Sequence, residues 1–235
     1  MESVWVLQHA PVEALGTIED ALEAHGIAPH YVPTHLGQPV PREMGGKVGL
    51  VVMGGPMGVY EEEACPFLRD ERRLIGMALA EGVPILGVCL GSQLLAATLG
   101  AEVKKGEKKE LGWHKVTLTP AAATDTLFTG VTPEFWPFHW HGDVFSLPAG
   151  ADALAFSTQT ACQAFRCGEN AYGILFHLEV TAAQIIAMVS TFAHELAEAG
   201  IEPDEVTGGV PRYLPALGRV ADAVFGRWAA LIARR

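Results

Sequence analysis

The sequence has no Cys-x-x-Cys pair, no excess of basic charge, no long apolar run and no basic leader, and each absence removes a class of protein. Its four cysteines, Cys65, Cys89, Cys162 and Cys167, lack the spacing of a zinc ribbon or a dithiol redox site. Without a secretion signal they are expected to stay reduced. Sixteen basic residues stand against 27 acidic ones, a formal net charge of -11 that repels phosphate backbones and argues against nucleic acid as a partner. No stretch approaches the roughly 18 consecutive apolar residues needed to cross a bilayer, so no membrane segment is expected. Met1-Glu2-Ser3 carries no basic n-region, and the expected compartment is the cytoplasm. Internal repeats and low-complexity segments are missing as well. What is present is a composition with 49% hydrophobic residues, which suits a single domain over residues 1–235 with a helical C-terminal segment at about 200–235.

Short apolar runs alternate with helical spacing in the first hundred residues. Val4-Trp5-Val6-Leu7-Gln8 reads as a strand, Thr17 to His25 as a helix with Thr17 as N-cap, and His30-Tyr31-Val32 as a second strand. Val48 to Met53 is a continuous apolar strand of the kind buried on both faces of a parallel sheet, and it runs into Gly54-Gly55-Pro56-Met57-Gly58. A helix from Phe67 to Glu81, closed by Gly82, leads to Pro84-Ile85-Leu86-Gly87-Val88. Glu61-Glu62-Glu63 reads as a solvated acidic start to that helix, and Lys104-Lys105-Gly106-Glu107-Lys108-Lys109 as a solvated loop. From Glu102 to Phe176 short β runs dominate. Helical spacing returns over Thr181–Ala199 and again from Leu214 to about Arg234. The fold class expected is α/β: a mostly parallel central sheet flanked by helices, with an antiparallel β extension.

The chemistry concentrates at Gly87-Val88-Cys89-Leu90-Gly91-Ser92-Gln93. A strand that breaks at a cysteine between two glycines and restarts as a helix is a nucleophile elbow, because glycine alone tolerates the close backbone approach on either side. The helix start favours thiolate over thiol and offers free N–H groups to an oxyanion. Tyr172 to Phe176 forms another strand, ending on His177-Leu178-Glu179. A thiol nucleophile needs a base that titrates near neutrality, and the base needs an acceptor to fix its tautomer. Cys89, His177 and Glu179 are therefore a candidate triad. His139 and His141 alternate along one strand face, but no third ligand stands at a recognisable spacing, so no metal is expected.

Met53-Gly54-Gly55-Pro56, the cysteine motif, Trp140-His141-Gly142-Asp143 and Phe176-His177-Leu178-Glu179 occur here in one order, and in these motifs the chain resembles the class I glutamine amidotransferases, most of all stand-alone proteins similar to the glutaminase part of GMP synthetase. The resemblance implies a flavodoxin-like core and no cofactor. It implies Cys89 as nucleophile, His177 as general base and acid, and Glu179 as the residue orienting it. It further implies an oxyanion hole from the N–H groups of Gly55 and Leu90, with Gln93, His141, Gly142 and Asp143 holding glutamine. Leu178 stands where the family usually has proline, so the turn carrying Glu179 lacks that stiffening.

The expected activity is hydrolysis of the γ-amide of glutamine through a γ-glutamyl thioester. Its rivals are a γ-glutamyl peptidase on the same fold and an interaction protein whose site is silent until a synthase docks. No Ser-Gly-Gly-type phosphate loop of an ATP pyrophosphatase domain occurs in the sequence, so passing ammonia to an acceptor would need a partner subunit. The glycines of the Gly54–Gly58 loop tolerate a peptide flip, which would let such a partner gate the oxyanion hole.

Overall fold

A computed structural model describes residues 2–233 of the chain. Up to Thr98 strands and helices alternate: β1 (Ser3–Gln8), α1 (Thr17–Ala24), β2 (Ala28–Pro33), β3 (Gly49–Val52), α2 (Phe67–Ala80), β4 (Ile85–Val88) and α3 (Leu90–Thr98). Strands then dominate: β5 (Val103–Trp113), β6 (Val116–Leu118), β7 (Glu134–Phe135), β8 (Phe138–Phe145), β9 (Ala151–Ser157), β10 (Ala164–Cys167) and β11 (Ala171–Ile174). Helices α4 (Ala182–Thr191), α5 (Ala193–Ala199), α6 (Pro203–Thr207) and α7 (Val210–Ile232) close the described part.

One sheet has the order β2-β1-β3-β4-β11-β10-β9-β6-β7. The strands from β2 to β11 run parallel and the rest antiparallel, the mixed architecture expected. The parallel half follows the flavodoxin-like order, whose strands change direction of addition at β1; ligands bind outside the carboxyl ends of strands at such a point. β3, β4 and β11 are buried at every residue because helices cover both faces. Alternate side chains serve the two layers. Val51, Leu86 and Val88 share one core with Ile18 and Leu22 of α1 and Phe225 and Trp228 of α7, whereas Leu50, Val52 and Ile85 pack with Leu74, Ile75, Leu94 and Leu95 of α2 and α3.

Several expectations are corrected. The lysine-rich run is not a loop: it lies in β5, paired with β8 in a separate two-stranded sheet whose register slips between Lys105 and Glu110, although its four lysines and Glu107 are all solvated as expected. The Thr181–Ala199 helix breaks at Phe192, whose N–H still bonds Met188 O at 2.9 Å before α5 starts afresh. α7 begins at Val210, not Leu214, because Pro211 sits in the first turn, where a missing N–H costs nothing. The expected end at Arg234 lies outside the described residues. The N-cap of α1 is Gly16 at φ 51 rather than Thr17. The acid run precedes α2 instead of starting it, and Glu62 reaches forward to Arg69 and Arg72 at 3.2 and 2.9 Å.

Backbone contact at the end of β4 tests this packing. A Cβ added at Gly91 would collide with the carbonyl of Val52 in β3, a clash that no side-chain rotation relieves. Gly91→Ala is expected to cost about 2–4 kcal/mol in urea unfolding. Gly218→Ala in α7, where nothing lies within 4 Å, should stabilise by up to about 1 kcal/mol.

Candidate active site

Cys89 is the one non-glycine residue with positive φ among those described, at φ 49 and ψ -110. β4 must stop and α3 start within one residue, and the close approach of Gly87 to Gly91 and of Gly91 to Val52 leaves no other path. The thiol is 4% exposed and points its S–H at the Trp140 carbonyl, 3.5 Å away. Burial pushes its pKa up, against the lowering effect of His177 beside it. None of the four cysteines is bonded to another.

His177 comes three residues after β11, which pairs with β4 in parallel register, so the two strands deliver thiol and imidazole to the same edge. Its backbone N–H donates to Phe138 O at 2.7 Å. Its Nδ1–H donates to Glu179 Oε1 at 2.6 Å, which leaves Nε2 with no hydrogen-bond partner and free to serve the thiol. The turn that lacks the family's proline is pinned by other means. Thr17 N–H, at the start of α1, donates to Glu179 O at 2.9 Å, and Thr181 caps α4 with a full capping box.

A second carboxylate, absent from the sequence-based set, faces the same ring. Glu13, in the loop after β1, places Oε2 4.0 Å from His177 Nδ1 while finding no hydrogen-bond partner of its own. Burial raises the Glu13 pKa; burial also opposes charge on His177, but Glu179, the Cys89 contact and Glu13 outweigh it and hold the imidazole pKa well above its ordinary value. One signal could have found Glu13: it lies in the loop, five residues past Gln8, that leaves the carboxyl end of a parallel strand, where ligands are expected.

Gly55, Gln93, His141, Gly142 and Asp143 line one cleft of about 250 Å³ with Cys89 and Glu13. That space suits a single amino-acid-sized substrate better than a large ligand. Leu90 is buried at the first position of α3, where a helix leaves its N–H free, and the Gly55 N–H has no protein acceptor among the described residues. Gln93 Nε2 donates to Asp143 O at 3.3 Å, tying the elbow helix to β8. His141 borders the cleft but turns its ring inward: Nε2 lies 3.5 Å from Glu110 Oε2 and 3.3 Å from His139 Nδ1. Glu110 is the third neighbour that spacing did not reveal. Its oxygens already accept from Ser157, Thr160 and Gln163 at 2.6–2.8 Å, which makes it a strut from β5 to the β9–β10 segment, and burial holds His141 down to about 3. A roomier cleft of about 500 Å³ between β7 and α7 is walled by Phe135, Trp136, Leu217 and Val220 and contains neither cysteine nor histidine.

The family profile described as glutamine amidotransferase class-I matches residues 16–196. The chain belongs to the class I glutamine amidotransferase family. It is 31% identical to the glutamine amidotransferase-like protein YfeJ of Salmonella typhimurium over 81% of each chain. It is 32% identical to the glutamine-hydrolyzing GMP synthase of Nitrosomonas eutropha over 73% of this chain, spanning 34% of that protein. Among solved structures, a glutamine amidotransferase of Thermotoga maritima superposes with a TM-score of 0.88 at 32% identity, over 97% of this chain and 98% of the other. No helix of this amidotransferase chain is long and apolar enough to cross a membrane among the described residues.

The crowding of carboxylates on His177 has a kinetic consequence. If Cys89 and His177 act as nucleophile and base, the pair must shed one proton before the thiolate attacks, and the raised imidazole pKa should place the acid limb of kcat/KM above that of an isolated histidine. Glu13→Gln removes one negative neighbour, so the imidazolium releases its proton more readily and the limb should move to lower pH. Rate profiles of both forms with glutamine check this; a shift to higher pH would contradict it.

Proposed function

We propose that this chain hydrolyses the γ-amide of glutamine through a thioester on Cys89, with His177 as acid and base and Glu179 as its orienting partner. The reading rests above all on one observation, the strained Cys89 at a helix start beside a histidine whose Nδ1 is committed to a carboxylate. Proton transfer from thiol to Nε2 generates the nucleophile, sulfur attacks the amide carbon, and the carbonyl electron pair moves onto oxygen at the Gly55 and Leu90 N–H groups. Collapse of this intermediate breaks the C–N bond while Nε2–H protonates the departing nitrogen, and ammonia leaves. Water then gives a proton to Nε2 as it attacks the thioester. The C–S bond breaks, the sulfur recovers a proton, and glutamate is released, so the sum is glutamine plus water to glutamate plus ammonia.

Gln93, Gly142 and Asp143 are proposed to hold the amino-acid end of the substrate, since they share the cleft with the thiol. A synthase that consumes the ammonia belongs to the proposal too, because glutamine-hydrolyzing GMP synthases are among the relatives. Cys162, whose thiol burial pushes up to about 12, has no comparable setting.

A glutamine-like chloroketone should alkylate Cys89 ahead of Cys65, Cys162 and Cys167, as peptide mapping would reveal; first labelling elsewhere would remove the nucleophile assignment. His177→Ala should lower kcat by about 10³-fold or more, and Glu179→Ala by less, because the base moves the protons and its partner orients the base. Turnover of γ-glutamyl dipeptides well above that of glutamine would shift the assignment to a γ-glutamyl peptidase.

A further inference from the structure

We infer that a fully buried ion pair, His9–Glu71, positions the Gly54–Gly55 peptide so that its N–H faces the cleft, which makes the oxyanion hole a built-in feature of this chain. The inference rests on the proposed glutaminase reading.

His9 is the first residue beyond β1, and β1 lies beside β3, whose carboxyl end runs into Met53-Gly54-Gly55. Its Nδ1 lies 3.0 Å from Gly54 O, and since a carbonyl only accepts, Nδ1 carries a hydrogen. Its Nε2 lies 2.8 Å from Glu71 Oε2 on α2, with both side chains wholly buried and the ring stacked on Phe67. Two facing lone pairs would repel, so a proton lies between Nε2 and Glu71 Oε2, and on Nε2 it makes the ring an imidazolium and the contact an ion pair. Burial opposes that charge, but Glu71 and the Gly54 carbonyl overcome it and raise the His9 pKa.

The consequence is geometric. In a planar trans peptide the C=O and the next N–H point in opposite directions, so a Gly54 carbonyl held toward His9 turns the Gly55 N–H away from it. Between two glycines this peptide has little conformational preference of its own, and without the pin either its N–H or its C=O could face Cys89. The loop is packed tightly: a Cβ at Gly55 would lie 2.6 Å from His9 Cβ and 2.9 Å from Leu90 Cδ2. The loop thus packs on the side chain of Leu90, the residue whose N–H is the other proposed donor. A buried ion pair is a poor device for stability, since desolvating both charges cancels most of their attraction. Fixing a peptide that must donate to a developing oxyanion accounts for its presence. On this inference the Gly54–Gly55 peptide is held in place before any partner docks, the alternative to a freely flipping Gly54–Gly58 loop gated by a partner.

The test compares His9→Phe, which keeps a ring of similar size but deletes the donor, with His9→Asn, whose amide N–H falls near the place of Nδ1–H. It also compares Glu71→Leu with Glu71→Gln, whose amide can donate to Nε2 and keep the Nδ1–H tautomer. Substrate kinetics, alkylation of Cys89 by iodoacetamide and binding of the γ-aldehyde analogue of glutamine are measured on each isolated protein; kcat and the aldehyde's tetrahedral adduct use the oxyanion hole, whereas alkylation and ground-state binding do not. His9→Phe should lower kcat by about 10²–10³-fold, the range for one lost oxyanion donor, with KM and alkylation nearly unchanged and aldehyde affinity falling in parallel. His9→Asn should recover part of the loss, and Glu71→Gln should retain far more turnover than Glu71→Leu. Wild-type kcat in His9→Phe, or a rise in KM or a loss of alkylation as large as the loss of aldehyde affinity, would overturn the positioning role and leave the glutaminase reading standing. If the wild type alone forms no thioester, the built-in oxyanion hole is wrong; chloroketone labelling of Cys89 then decides separately whether the glutaminase reading survives.

Discussion

The site depends on one backbone compromise. Cys89 occupies a left-handed conformation that costs a side chain of its kind about 1–3 kcal/mol, and the surrounding packing holds it there. Gly91 lies against the Val52 carbonyl and Gly87 against Gly91, so β3, β4 and α3 meet too closely for the turn to relax. The strain presents the sulfur beyond the sheet edge instead of within it. It also leaves the Leu90 N–H, next in the chain after Cys89 at the head of α3, without an intrahelical acceptor.

The other groups arrive by the same architectural rule. Parallel strands end on one side, and β1, β3, β4 and β11 deliver His9, Gly54-Gly55, Cys89 and His177 there in turn. The antiparallel extension contributes differently. β8 crosses as part of a separate two-stranded sheet and brings Trp140, His141 and Asp143 over the cleft, anchored from behind by the Glu110 strut. On the opposite rim Lys109 joins Glu195 and Glu198 of α5 at 3.0 and 3.2 Å, which ties β5 to the helices that follow the triad.

Charge within this frame is arranged with an economy of partners. Glu13 and Glu179 both lie within reach of His177, favouring the imidazolium that must form when the thiol is deprotonated. His139 and His141 are held neutral by burial a short distance away, so they do not compete for the same carboxylates. The replacement of proline by Leu178 did not loosen the Glu179 turn, because backbone and capping bonds from α1 and α4 took over its restraint.

Local patterns alone made the elbow, the parallel half of the sheet and the Cys89–His177–Glu179 set legible, since each is written in contiguous residues: an apolar run, flanking glycines, a strand ending on a titratable pair. The lysine run misled for the same reason, its composition reading as solvated loop while pairing with β8 made it strand. His9, Glu13, Glu71 and Glu110 were decided by tertiary structure. His9 reaches its two partners across 45 and 62 positions of chain, and no short pattern distinguishes a histidine that will be buried as an imidazolium from one left at the surface. The sequence by itself determined where the elbow forms and which side chains end the neighbouring strands, because strand, glycine and helix signals are local. Only the packed sheet decided which backbone and carboxylate groups stand close enough to direct them, because burial and proximity arise from contacts between distant segments.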